Sequence, residues 1–395
     1  MVAELKSDAQ RTEVVAGLVL VVTAALGLIA ANSPAAQLYF SILHHEVTIG
    51  AGAWAERHDL LDWIKEGLLA VFFFSVGLEI KHEITRGALS SARRLALPLI
   101  SAAGGMAIPA AIYLAVNLGA GGRPEGWPIP VATDIVFALA ALAAVGARAP
   151  VGLRAFLLAL AVVDDLGAVL LIALLFTSGL SLPMIAAAIA TLAAMAALRL
   201  LRRPPVILYA VGAALVWAFC LKSGVATSVG AVAAALTVPA RSRRPDDAGL
   251  AHDMIEALRP YVSFVVLPIF AFAAAGFPLS GIRPGDVASP VALGVLLGLT
   301  AGKPIGVFGA SWLAVRLGLA QRPAGADWGH MLGAAVLCGV GFTMSLYLAS
   351  LAFPTGDPSA TAGQLGVITA SLIATTAGIA LLGGRRRQLL MPDPD

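Results

Sequence analysis

Twelve apolar stretches, most near twenty residues long, alternate with short polar segments along this chain. A hydrocarbon core about 30 Å thick takes roughly 20 helical residues to cross, so each stretch predicts a membrane span. The first six run Val14–Ala31, Asp62–Thr85, Leu95–Leu118, Pro128–Val145, Ala155–Phe176 and Leu182–Leu198. The last six run Val206–Cys220, Ser223–Pro239, Tyr261–Ala275, Val291–Trp312, Met331–Leu351 and Ala362–Leu382. The seventh and eighth are short and meet at a tight link around Lys222-Ser223-Gly224. The longest outer loop, Asn32–Leu61, contains Val47-Thr48-Ile49-Gly50, which predicts a short hairpin, either a dimer contact or a solvated loop. The expected fold is an all-α polytopic membrane protein, one transmembrane domain over residues 1–395.

Polar residues that interrupt the apolar pattern carry more information than the pattern itself. Asp164 and Asp165 are the only charges from Ala155 to Leu198. Asp134 is the only charge between Glu125 and Arg148, and Lys303 the only one between Asp286 and Arg316. Glu79, Lys81, His82 and Glu83 crowd the end of the second span. A charge at mid-membrane costs at least about 2.5–3.5 kcal/mol, so such residues mark ion or proton pathways by default. Neighbouring helical residues point about 100° apart, so Asp164 and Asp165 cannot share a face. One can look into a cavity while the other meets a neighbouring helix. An aspartate facing Lys303 would offset much of the cost of burying both.

Two spans also carry helix-breaking composition beside polar groups. The fourth has Pro128 and Pro130 before Thr133-Asp134, and the eleventh has Cys338-Gly339-Val340-Gly341-Phe342-Thr343-Met344-Ser345. Transporters with inverted repeats place paired broken helices at the midplane, where exposed backbone ends need compensating charge. An acid suits the positive half-helix ends and a base the negative ones. Asp134 and Lys303 have the right signs for those roles. The fourth and eleventh spans also run in opposite directions in this topology, as an inverted repeat requires.

Charge sets the orientation. Nineteen of the 26 lysines and arginines fall on one side of this topology and four on the other, with Lys65, Lys81 and Lys303 inside spans. Basic loops stay cytoplasmic, so both termini are expected inside. The pI near 9.0 therefore signals loop charge, and no nucleic-acid partner is expected. Only 12% of residues are charged and mean hydropathy is +0.89, which excludes a soluble domain. Cys220 and Cys338 form neither a disulfide framework nor a metal-ligand spacing, and His44, His45 and His58 do not suggest a metal site. Met1–Glu13 is mixed in charge and leads into a helix expected to be retained rather than cleaved.

Taken together, Phe72-Phe73-Phe74-Ser75-Val76-Gly77-Leu78-Glu79-Ile80-Lys81, Ala132-Thr133-Asp134, Val163-Asp164-Asp165-Leu166-Gly167, Gly302-Lys303-Pro304 and Leu337–Ser345 resemble the bacterial NhaA-type Na+/H+ antiporters. The likeness runs from about Ala16 to Leu382. It implies twelve helices, inverted repeats of spans three to five and ten to twelve, two discontinuous crossing helices, and a homodimer in the bacterial inner membrane. It implies electrogenic, pH-regulated export of Na+ or Li+ for protons, with no cofactor. Asp164 and Asp165 would hold the cation and the proton, with Thr133 nearby. Lys303 would pair with Asp164, and Asp134 would compensate the crossed half-helices. Glu79, His82 and Glu83 would form a pH-responsive mouth. The chain departs from the family pattern at His82, where arginine is frequent, at Ala226, and along Ile255–Pro260, which lacks histidines found in some relatives. Those departures bear on the pH profile rather than on exchange.

The rival readings are a sodium-coupled solute symporter of similar architecture and an intramembrane aspartyl protease. The protease needs two acids from different spans, such as Asp134 and Asp164, but has no use for Lys303 or a second adjacent acid. Gly302-Lys303 lacks a glycine five residues earlier and is followed by proline, so no phosphate-binding loop forms.

Overall fold

Helices account for nearly all of the regular structure. The computed structural model describes residues 2–85, 92–177, 179–201, 205–240, 249–280, 288–354 and 356–384. Of the arginines used to orient the chain, Arg86, Arg202, Arg203, Arg241, Arg243, Arg244, Arg283 and Arg385–Arg387 lie outside the described residues. The twelve expected segments all fold as helix, in order. Among the described residues nine helices are long and apolar enough to cross a membrane, and a tenth span arises if Trp328–Leu337 and Phe342–Ala352, bent by 44°, count together. Two segments miss that standard. Thr227–Thr237 is only 11 residues long. The second span is built in pieces, Leu60–Trp63, a π-helical turn Ile64–Leu68, and Leu69–Thr85, and it carries several charges. The ninth span starts earlier than its apolar run suggests, at Leu250, and continues through a π-turn to Ala274.

Local chemistry explains where these helices begin and end. Asp327, Asp357 and Ser289 accept backbone N–H groups at the first turns of Trp328–Leu337, Pro358–Gly383 and Pro290–Leu297. Such caps contribute about 1 kcal/mol each. Pro290 and Pro358 stand at first helical positions, where a missing N–H costs nothing. Val206–Ser223 stops at Gly224, whose φ of 78° is left-handed and suits glycine.

The third span, Ala92–Asn117, packs along Lys303–Arg316 of the tenth with the backbones in contact. A Cβ on Gly104 would come under 3.0 Å from the Gly306 carbonyl oxygen, and one on Gly306 would do the same to Gly104. Nearby, the buried Ser101 and Ser311 hydroxyls hydrogen-bond each other at 2.7 Å. Small residues permit this approach where lipid supplies no hydrophobic drive between helices. The outer loop forms an antiparallel hairpin, Glu46–Ile49 with Glu56–Asp59, pairing Val47 with His58.

Candidate functional site

The fourth and eleventh spans break where their polar residues stand. In the fourth, a short 3₁₀ turn Ile129–Val131 ends in extended backbone at Ala132, and Ile135–Val145 begins after an extended Asp134. In the eleventh, Trp328–Leu337 stops and Phe342–Ala352 restarts beyond Gly341. The breaks touch. Asp134 N–H donates to the Val340 carbonyl at 2.7 Å.

Each break exposes N–H groups and carbonyls that lipid cannot satisfy. The Asp134 carboxylate, 2% exposed, answers two helix starts at once. It caps its own helix by accepting from Phe137 N–H at 3.0 Å. Its other oxygen accepts from Thr343 N–H at 3.0 Å and the Thr343 hydroxyl at 2.5 Å, in the first turn of the opposing half-helix. Carbonyls at the opposite ends find hydroxyls: Thr133 donates to Cys338 O at 2.9 Å, and Ser345 to Ile129 O at 2.7 Å. Ser345 is a site residue that sequence reading did not single out beyond its motif.

Beside the crossing, the fifth span Val151–Leu175 carries the two adjacent aspartates, each 1% exposed. Their side chains diverge. Asp164 Oδ2 lies 2.5 Å from Lys303 Nζ, in a pair with no solvent exposure on either side. Lys303 follows immediately on a π-turn, Gly298–Gly302, a distortion frequent at functional sites. Gly298 and Gly302 leave room there for Pro130 and Pro109. Asp165 points elsewhere, and neither of its oxygens has a hydrogen-bond partner, nor has Asp164 Oδ1. Buried carboxylate oxygens without donors demand a reason.

For Asp165 that reason lies in a cavity of about 610 Å³ with this residue, but not Asp164, in its wall. Glu79, His82 and Glu83 line it, so the structure brings these residues to the same space as Asp165. Thr133 and Lys303 do not line it. Five further residues of its wall, Glu13, Arg154, His252, Glu256 and Arg259, come from other spans and were not singled out from the sequence. Glu13 pairs with Arg154, and Glu256 lies 3.1 Å from Arg259. His252 faces His82 with ring centres 5.4 Å apart. No local motif connects residues 13, 82, 154, 252 and 256. Glu66, in the π-turn of the second span, was likewise not singled out; it accepts from the Thr227 hydroxyl at 2.6 Å, and its carbonyl accepts from Trp217 Nε1 at 2.7 Å.

Outside the spans, Glu56 and Asp357 are among the acids that neighbouring donors hold below their ordinary range. Lys222 hydrogen-bonds Glu56 and holds its carboxyl below the usual 4.5. The Ser359 backbone N–H does the same to Asp357 below 3.8.

An unpaired buried acid in the wall of a cavity, beside an intramembrane ion pair and two broken helices in contact, marks a polytopic ion-transport protein. The family described as Na+/H+ antiporter 1 matches residues 7–382, and the chain belongs to it. Among its relatives is the Na(+)/H(+) antiporter NhaA of Rhodospirillum rubrum, 46% identical over 385 residues, covering 95% of this chain and 96% of that one. The NhaA of Mesorhizobium japonicum is 45% identical over 379 residues, covering 94% and 92%. NhaA 1 of Pseudomonas syringae pv. syringae is 46% identical over 374 residues, covering 95% and 94%. The family is one of transporters, and the chain is a multi-pass bacterial membrane protein.

Proposed function

We propose that this protein is an electrogenic, pH-regulated antiporter that exports Na+ or Li+ in exchange for protons by alternating access. The observation that carries this reading is Asp165: a buried carboxylate with two unpartnered oxygens, in the wall of a cavity and next in sequence to the Asp164–Lys303 pair. Hard cations are bound by oxygen. Ionised Asp165 offers two oxygens and Asp164 one, and Thr133 with backbone carbonyls or water would complete the shell. A proton on the same carboxylates removes both the charge and the lone pairs that the cation needs. Competition for one set of oxygens therefore couples the two ions without a separate gate.

Lys303 holds Asp164 while the site is empty, and a cation arriving at Asp164 competes with that ammonium. Asp134 keeps the two helix starts charge-compensated as the crossing moves. The reciprocal approach of Gly104 and Gly306, which belong to corresponding spans, suits an inverted repeat over 95–176 and 290–382. The acid-lined cavity lies at the cytoplasmic end, with both termini on that side, and Glu79, His82 and Glu83 make its opening respond to pH. The outer hairpin is the dimer contact.

Asp165→Asn tests the assignment. In proteoliposomes carrying a Na+ gradient, the variant should lose Na+-driven proton movement while still inserting and folding. Wild-type exchange in that variant would remove Asp165 from the mechanism.

A further inference from the structure

The two histidines at the cavity mouth have no part in the exchange chemistry beyond the pH response proposed for His82. His82 lies near the end of Leu69–Thr85 and His252 near the start of Leu250–Tyr261, so two separate spans bring their rings together. The ring centres are 5.4 Å apart and the planes tilt by 32°. Two imidazoles on one tetrahedral metal ion, with metal–nitrogen bonds of about 2.0–2.1 Å, hold their ring centres at about 5 Å. The observed spacing matches. Glu79, Glu83 and Glu256 line the same cavity and draw cations to it, against Arg154 and Arg259. Among the described residues no group of three His, Cys, Asp or Glu is placed to hold a metal ion, so a metal on these two rings would take water at its remaining positions.

We propose that His82 and His252 form a two-imidazole site for a borderline transition-metal cation, Zn2+ or Ni2+, that tethers the second span to the ninth. Neutral imidazole suits these ions and discriminates against Na+ and Mg2+, which prefer oxygen. The site is thus chemically distinct from the carboxylates that would carry the transported ion. A metal held between two spans resists their relative displacement. On the antiport reading above, occupancy slows exchange; metal binding itself does not depend on that reading.

The test uses the full chain, purified in detergent on a tag without histidine, with Zn2+ titrated by calorimetry. One equivalent should bind at neutral pH, and His252→Ala and His82→Arg should each weaken it by about tenfold or more. His82→Arg keeps a polar head at the mouth, and a melting curve on each variant confirms folding. Binding should also fall on acidification, because both rings must be neutral to ligate. Binding left unchanged in both variants places the metal elsewhere, for example on the outer-loop histidines, and overturns the proposal, as does a failure to bind at all. In proteoliposomes, Zn2+ should reduce wild-type exchange and lose that effect in His252→Ala, each measured against its own metal-free rate. Undiminished exchange at saturating Zn2+ overturns the tether. Absent exchange in the metal-free wild type would overturn the antiport reading and leave the calorimetric result standing.

Discussion

Two adjacent aspartates meet different fates at the residue scale, and the geometry of a helix is the reason. With about 100° between neighbours, Asp164 reaches Lys303 and Asp165 reaches the cavity wall. Each can therefore be perturbed alone. Lys303→Ala leaves Asp164 buried without its cation, and breaking a buried pair on one side typically costs about 3–5 kcal/mol. A clear fall in melting temperature in detergent is expected, and a partial recovery in the double variant Lys303→Ala, Asp164→Ala. Equal melting of Lys303→Ala and wild type would mean the pair does not hold the fold. Asp134 offers a graded comparison. Asp134→Asn keeps an oxygen to cap Ile135–Val145 but removes the charge between two helix starts, whereas Asp134→Ala removes both. Thermal stability should fall in the order wild type, Asn, Ala, and the reverse order of the two variants would contradict the double-cap account.

Among elements, close backbone approach and helix interruption do most to shape the molecule. Gly104 and Gly306 face each other's carbonyl oxygens, so a methyl group on either must push the third and tenth spans apart. Gly306→Ala should lower the melting temperature and shift the exchange rate, because the tenth span carries Lys303. Gly309→Ala, with open space around its Cβ, is the control and should melt as wild type. The outer elements respond to pH instead. Glu56 and Asp357 ionise below their ordinary values through Lys222 and through the Ser359 N–H respectively. A depressed folded value stabilises the folded state above the unfolded value, and that gain disappears as pH falls through the folded one. The Glu56 contribution is therefore complete above about pH 4.5 and lost below it. Both acids are partly exposed to solvent, and screening there keeps the effect small. Glu56→Gln should flatten the acid limb of the stability curve; an unchanged limb would remove the Lys222 contact from the balance.

At the scale of the whole molecule, apolarity and charge placement made most of the architecture legible from the chain. Every expected span is helical apart from the breaks in the fourth and eleventh, since a segment in lipid must satisfy its backbone internally. The shortfall at Thr227–Thr237 and in the pieced second span has a local cause: one is short, and the other turns through a π-bulge amid charges. A hairpin in the outer loop was legible at Val47-Thr48-Ile49-Gly50, but its second strand, Glu56–Asp59, was not. The cavity wall was only half legible. Glu79, His82 and Glu83 stand together in sequence, but Glu13, Arg154, His252 and Glu256 join them from three other spans, and nothing local announces that convergence.

By itself the chain determined which segments are apolar helices and which charges lie within them, because the cost of placing a polar group in hydrocarbon is read residue by residue. Only the tertiary structure decided how those charges were shared out: Lys303 to Asp164, both helix starts to Asp134, the carbonyl ends to Thr133 and Ser345, and open space to Asp165. Such partnerships join residues as far apart as 134 and 343, and they depend on how helices cross, which no stretch of neighbouring residues encodes.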